Sequence, residues 1–482
     1  MIVDGRLRRP GGKRMKGDPN VNDPNVNPEA QGTAWQGVRA GGAVGKVRDI
    51  RRVTCCVAGC GPAGAMLGLL LARKGIDVLV LEKHGDFLRD FRGDTIHPST
   101  MEIMDELGLA DRLLRLPHTK APELRFRTPQ GSATLADFRR LKTRFPYIAF
   151  MPQWDFLDFV TKEAERYPNF RLEMNAEVRE LVEEGGVVCG VRYEAPDGAQ
   201  EVRAALTVAA DGRHSRVRER SGLEVVGTGP PIDVLWFRLS RRKGDPEQSS
   251  GYIGAGKFLV LINRGDYWQV GYVIPKGGDR EVRRAGLEAF RRSISEAVPE
   301  VADSTGELQD WEQVKLLSVQ VDRLRRWHKP GLLCIGDAAH AMSPVGGVGI
   351  NLAIQDAVVA ANALTEPLRE GNVEPWHLRA VQRRRELPIR ILQGLQSLAH
   401  RRVAAPAVNT DGLPSPPAPV RALLRLRAVR DIPARIIAFG VWPVHVDRGS
   451  RGRLRGAQRV RQGRASPGGA RGGDPGYGEH PT

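Results

Sequence analysis

Three short runs in this sequence have the residue types and spacing of a nucleotide site. The first is Gly59-Cys60-Gly61-Pro62-Ala63-Gly64. Gly59 permits a tight turn, Gly61 lets a pyrophosphate approach the backbone, and Gly64 lets a helix pack closely on a sheet. The N–H groups that open such a helix lack intrahelical acceptors and suit phosphate oxygens. Glu82 follows Gly64 by 18 residues. An acid at that distance accepts hydrogen bonds from a ribose diol. Glu82, followed by Lys83, suits a free ribose hydroxyl rather than a ribose phosphate, as in FAD or NAD. The second run is Asp211-Gly212-Arg213-His214-Ser215, which by itself reads as a turn. The third is Gly336-Asp337-Ala338-Ala339-His340, continued by Pro344 and by Gly346-Gly347-Val348-Gly349-Ile350-Asn351. Its glycines would let backbone N–H groups face a planar ring. The helix behind them would aim partial positive charge at it, which stabilises an anionic ring system.

The elements that must position these runs are legible around them. Val53–Ala58 reads as a buried strand, 62–74 as a helix and 77–81 as a second buried strand, one βαβ unit around the first glycine run. A helix is predicted over 153–166 and strands over 170–175, 177–184, 187–193 and 201–209, the last running into Asp211. Residues 234–274 alternate as strands, and 287–298 reads as a helix. Leu332–Ile335 is a buried strand ahead of the third run, and 351–364 is the helix after it. Segments 375–402 and 420–439 look helical. The layout is a parallel-sheet nucleotide domain split by a strand-rich insertion near 229–320.

In this order and spacing, the three runs resemble the single-component flavoprotein monooxygenases similar to p-hydroxybenzoate hydroxylase. The resemblance covers roughly residues 53–446, about four-fifths of the chain. It implies an α/β fold: a Rossmann-like FAD-binding domain of glutathione-reductase type, an interleaved strand-rich substrate domain and C-terminal helices. FAD-binding segments would be 51–120, 150–228 and 321–375, substrate-domain segments 121–149 and 229–320, and C-terminal helices 376–447, with tails at 1–50 and 448–482. It further implies that Gly59, Gly61, Ala63, Gly64, Glu82 and Lys83 bind the ADP half of FAD. Arg92 would approach the FAD phosphates and the nicotinamide, and Gln153 the ribityl chain. Asp211 and Gly212 would serve both FAD and NAD(P)H, and Asp337 would hold the ribityl hydroxyls. Pro344 and Gly346, Gly347, Gly349, Ile350 and Asn351 would line the flavin ring. Pro344 and Arg92 are the residues the family pattern places closest to the chemistry. That chemistry is NAD(P)H reduction of FAD, formation of a flavin C4a-hydroperoxide with O2, and hydroxylation of an aromatic or polyketide-like molecule. A reductase or dehydrogenase of the same fold acting on a lipid-like substrate, and a flavin-binding regulatory protein without turnover, are the alternatives. The single G-x-G-x-x-G fits this family and not the two-nucleotide flavin reductases. Residues 448–482 are too short for the thioredoxin-like domain of phenol hydroxylases. Trp268 with Ile274-Pro275 does not match the Trp-x-Trp-x-Ile-Pro spacing of flavin halogenases.

No residue stands out as the base that would activate a phenol. His340 reads as structural or FAD-side, and His97 and Arg238 as pocket candidates. The pocket is expected along strands 232–240, 252–262 and 267–274, which carry Trp236, Phe237, Tyr252, Phe258 and Trp268; half of these must face away, because strand side chains alternate.

Composition narrows the classes further. The net charge of +17 sits mostly at the ends. Residues 1–52 hold eleven Lys/Arg against five Asp/Glu, and 448–482 hold eight Arg against two acids, leaving +5 in between. Basic solvated tails are expected, disordered and rich in Gly and Pro, with a tandem Asp-Pro-Asn-Val-Asn at 18–27. No aromatic-interleaved basic stripe points to nucleic acid. The five cysteines show no metal spacing, so no metal is expected; buried reduced thiols point to the cytoplasm. Met1–Pro10 lacks the apolar stretch of a secretory signal, and the longest apolar run, 65–72, is too short to span a bilayer. A monomer or homodimer working on a small molecule, O2 and NAD(P)H is the expected assembly.

Overall fold

The computed structural model describes residues 49–88, 95–128, 131–254, 256–409 and 427–447. The tail readings for 1–48 and 448–482, Arg92 and the first residues of the 420–439 helix lie outside them. Ile50, assigned above to the basic tail, instead opens the first strand, Ile50–Ala58, because Ile50 to Arg52 pair with Glu201 to Arg203 of a neighbouring strand.

Five parallel strands form the centre of the main sheet, in the spatial order Leu332–Cys334, Gly198–Ala209, Ile50–Ala58, Val78–Leu81 and Phe170–Glu173. The first four carry buried, mostly apolar runs toward their carboxyl ends because both faces are covered there. Cys55 and Val57 feed one core cluster, with the helices Pro62–Arg73, Gln153–Ala164 and Gly349–Arg369. Cys56 and Ala58 feed the opposite one, with Tyr193, Val202, Trp327 and Ile389. That second face is closed partly by the antiparallel strands Glu177–Glu184 and Val187–Ala195, which extend from Gly198–Ala209.

A second, seven-stranded sheet joins two distant stretches of chain. Residues 232–317 supply five strands: Ile232–Ser240, Ser250–Gly254, Lys257–Asn263, Tyr267–Pro275 and Lys315–Leu317. The hairpin Glu123–Thr128 and Gly131–Asp137 supplies the other two. Sequence reading missed this hairpin: its second strand is largely exposed, and the alternation of Leu124 and Phe126 with exposed Arg125 and Arg127 in the first is only five residues long.

Alternation decides which aromatic residues face where. Phe237, Tyr252 and Trp268 pack beneath the helix Leu287–Ala297, against Phe290 and Ile294. Trp236 and Phe258 lie on the opposite face with Val234, Val260, Ile262 and Val273, and meet Ala404, Ala407, Ala434 and Ala438 of the C-terminal segments. Only this second group shares a face with the C-terminal helices, so Phe237, Tyr252 and Trp268 are core rather than pocket residues. Arg238 is exposed, its guanidinium 5.1 Å from the centre of the Tyr267 ring.

The C-terminal region continues as the helix Pro375–Ala399, a wide π-type turn over His400–Ala404, the short helix Ala405–Asn409 and the helix Arg427–Phe439. The helix after the third glycine run is longer than its sequence pattern. It reaches Arg369 and carries Pro367 near its end.

Candidate functional site

The three motif loops leave the carboxyl ends of adjacent parallel strands. These are Ile50–Ala58, Gly198–Ala209 and Leu332–Cys334. Ligands of open α/β sheets collect in this crevice.

The loops touch one another. Gly59 adopts φ +95°, and a Cβ there would lie 2.6 Å from Ala210 O and from Asp211 Cα. A Cβ on Gly64 would lie 1.9 Å from Gly59 O, so the helix seats on its own loop only because that atom is missing. Gly336, at φ +59°, faces the Cβ of Ala63 at 3.1 Å and of Ala353 at 3.3 Å. Arg213, from the Asp211-Gly212 turn, reaches 4.0 Å from Asp337 Oδ2. All three runs are thus brought to one place.

Gly61 differs from its neighbours. Its nearest potential Cβ contact is Ala210 O at 4.0 Å, so the protein leaves open the space above it. It opens the helix Pro62–Arg73, and no side chain caps that end. The helix Gly349–Arg369 is likewise uncapped by side chains at its start, and a Cβ on Gly349 would meet nothing within 4 Å. Both ends therefore offer backbone donors to a ligand. Gly347 is small for another reason: its Cβ would lie 2.5 Å from Thr95 Oγ1.

The polar residues differ in how protein contacts already hold them. Glu82 is nearly buried; Oε2 accepts from Cys60 N at 2.9 Å, and Oε1 lies 2.6 Å from His84 Nδ1. Oε1 also accepts from His84 N at 3.2 Å, so the carboxylate is held fixed at the end of the second strand. Lys83 is exposed, and Gln153 is half-buried at the first turn of its helix. Burial pushes the Asp211 carboxyl up, against hydrogen bonds from Ser215 Oγ and Val217 N that pull it down. Asp211 thus caps the helix Arg216–Ser221 together with Ser215. The Asn351 side chain is fully spent on protein. Its Oδ1 accepts from His97 N at 2.9 Å and Thr100 Oγ1 at 2.8 Å, and its Nδ2 donates to Thr95 O at 3.0 Å and Gly347 O at 3.3 Å. What Asn351 can offer a ligand is its backbone N–H. Ile350 is buried in the core. Cys60 is no nucleophile: burial, with Glu82 and Glu165 adding to it, pushes its thiol well above the ordinary range.

Behind the third run lies a buried ion cluster that sequence reading missed. Asp356 accepts from Gly336 N at 2.9 Å, lies 2.6 Å from His340 Nε2, and accepts from Arg385 Nε at 2.6 Å. Burial alone would raise its carboxyl, yet His340 and Arg385 hold it down at about 2. His340 is therefore a strut of the Gly336–Asp337 turn. Beside Pro344, Gln396 donates to Ser343 O at 3.0 Å and Val345 O at 2.8 Å, and His400 Nε2 meets Ser343 Oγ at 2.8 Å. The readable signal was polar residues on the inward side of one helix: Gln382, Arg385, Gln393, Gln396 and His400 are all buried.

His97 is buried between two of these elements. Its N–H is held by Asn351, and its Nδ1 lies 2.7 Å from Ile437 O. Its Nε2 is buried without a hydrogen-bond partner. Burial pushes this imidazole down to about 4, so it is neutral at physiological pH.

The donor set, two uncapped helix ends over unobstructed glycines and an acid at the end of the second strand, fits a dinucleotide such as FAD. Comparison with known proteins agrees. The family described as FAD binding domain matches residues 52–394. A 6-methylpretetramide 4-monooxygenase of Streptomyces rimosus is 33% identical over 365 residues, 73% of this chain and 85% of that protein. A para-nitrophenol 4-monooxygenase of a Pseudomonas species is 26% identical over 65% of this chain and 78% of its own. Among solved structures, the p-nitrophenol 4-monooxygenase PnpA of Pseudomonas putida superposes with TM-score 0.64 at 22% identity, over 80% of this chain and 97% of that one. The OxyS anhydrotetracycline hydroxylase of Streptomyces rimosus does so with TM-score 0.63 at 23% identity, over 80% of this chain and 76% of that one. The chain belongs to the FAD-binding-domain family and is an FAD-dependent monooxygenase that draws its electrons from reduced nicotinamide.

Proposed function

We propose that the chain hydroxylates an aromatic or polyketide-like small molecule, with FAD held across the three loops. The observation that carries this reading is the meeting of those loops at adjacent strand ends, where Gly59 abuts Asp211 and Arg213 reaches Asp337. When bound, FAD accepts the hydride and activates O2; the protein binds, orients and keeps water out.

Each residue has a part to play. Gly61 and the helix end behind it, with Ala63 and Gly64 setting its seat, take the pyrophosphate; Glu82 takes the ribose, with Lys83 beside it. Asp337 takes ribityl hydroxyls, and Arg213 close by steadies its charge. Gln153 and Arg92 act along the same cofactor. Asp211 and Gly212 shape the turn that closes over it. Pro344 and the backbone of 346–351 face the ring, held in place by Gln396 and Asn351. An aromatic substrate would sit against the apolar face with Trp236, Phe258 and Val260, beside the C-terminal segments that pack on it. His97 Nε2, an unpaired acceptor, would take the substrate's hydroxyl proton in a hydrogen bond and orient its ring. Substrates with one or several aromatic rings agree with the names of the tetracycline-pathway and nitrophenol relatives. No helix among the described residues is long and apolar enough to cross a membrane. The cysteines are unpaired, four of them buried, which supports a reducing, cytoplasmic setting.

The test is a panel of phenols and fused-ring phenolics, assayed for substrate-stimulated NAD(P)H oxidation under 18O2. A hydroxylated product carrying one 18O atom is expected. A product formed without label would instead indicate a reductase or dehydrogenase.

A further inference from the structure

The helix Pro375–Ala399 is partly inverted. Its inward side buries Gln382, Arg385, Gln393 and Gln396, and His400 follows just beyond. Its outward side presents Leu387, Ile391, Leu395 and Leu398, which are 38% to 53% exposed, and Val403 beyond them. These leucines and the isoleucine recur at helical spacing, so they form one stripe about 16 Å long. Exposed Arg383, Arg384, Arg390, Arg401 and Arg402 surround the stripe, and Glu386 is the single acid between 383 and 403. Trp442, itself 40% exposed, adjoins this face, with the Arg384 guanidinium 5.7 Å from its ring centre.

We propose that this face docks on a bilayer surface bearing anionic headgroups. Apolar side chains flanked by arginines and a tryptophan match the interface of such a bilayer, where stems sink and guanidiniums meet phosphates. A second copy of the chain fits worse. Two such faces would set arginines against arginines, with only one acid each to offset them. The docking is peripheral and involves no spanning segment. It does not depend on which substrate the enzyme takes.

The test uses the full-length holoprotein. Cys189 is replaced by serine, leaving the buried thiols, and Leu395→Cys is labelled with the environment-sensitive fluorophore NBD; a Ser132→Cys label, on the exposed hairpin, is the control. Phosphatidylcholine vesicles containing phosphatidylglycerol should shift the 395 probe to the blue and leave the 132 probe unchanged. Phosphatidylcholine alone should give little shift. In the unlabelled protein, Ile391→Glu with Leu395→Glu should weaken vesicle partitioning roughly tenfold while flavin content and thermal midpoint stay constant. Co-sedimentation without a shift at 395 would assign binding to the basic ends of the chain and overturn the proposal. So would an apolar probe environment before vesicles are added, or a solution dimer broken by the double variant.

Discussion

Replacing Gly61 and Gly64 by alanine separates ligand space from packing space within one motif. At Gly64 the new methyl would lie 1.9 Å from Gly59 O and 3.3 Å from Val57 Cγ1. Both neighbours belong to the strand and loop beneath the helix, so the helix must lift. Overpacking of this kind costs about 1–3 kcal/mol. Gly64→Ala should therefore destabilise the apoprotein, visible as a lower thermal midpoint without any cofactor. At Gly61 the backbone has φ −71° and ψ −173°, which alanine adopts freely, and the nearest atom is 4.0 Å away. Loss of an N-cap glycine and the entropic gain from alanine nearly offset, so apoprotein stability should move by less than about 1 kcal/mol. The methyl would instead occupy the cofactor's space. Losing one charge-assisted hydrogen bond from backbone to phosphate costs roughly 1.5–3 kcal/mol, or about 10- to 150-fold in Kd. Differential scanning fluorimetry of apoprotein and titration with FAD read the two effects independently. A Gly61→Ala protein that binds FAD as tightly as the parent would refute the placement of the pyrophosphate.

Other outcomes follow from the same geometry. Asp337→Ala should leave the fold intact, since its side chain is one-third exposed, but should lower FAD retention measured by flavin released per chain. Arg385→Leu leaves Asp356 and His340 buried without their guanidinium and should cost about 3–5 kcal/mol in urea unfolding. His97 has a folded-state pKa below its unfolded value, so the unfolded chain binds the extra proton between about pH 6.5 and 4. Its contribution is present above that window and is lost as pH falls through it, at up to about 1.4 kcal/mol per pH unit. His97→Gln should flatten that slope, and with a phenolic substrate should lower kcat/KM by about tenfold; an unaltered kcat/KM would remove His97 from the substrate's surroundings. The Asp356 carboxyl, held at about 2, adds a separate acid limb between about pH 4 and 2, because there the unfolded chain protonates this carboxyl while the folded protein keeps it ionised beside His340 and Arg385.

The cofactor loops were legible because each needs a residue type that sequence displays directly. Gly59 and Gly64 have no room for a Cβ, Gly336 needs positive φ, and the strands before them are unbroken apolar runs. The inner frame was less legible. Asp356 follows His340 by 16 residues, and Arg385 lies 29 further on, so no local spacing betrays their contact. Asn351 looked like a ring-lining residue by its place in the motif, but its side chain is consumed in holding 95–100 against the glycine loop. The aromatic strands announced a pocket without saying which side faces it. Only pairing with the helix Leu287–Ala297 assigns Phe237 and Trp268 to the other face. The hairpin at 123–137 stayed hidden because its edge strand, Gly131–Asp137, is almost wholly exposed, and the alternation in its partner spans only Leu124 and Phe126.

Purified full-length protein can be denatured and its released flavin counted against chain concentration. The account predicts a yellow protein with close to one FAD per chain, or a colourless one that takes up one equivalent of added FAD and is then bleached by NADH or NADPH. Folded protein that carries no flavin and takes up none would contradict it.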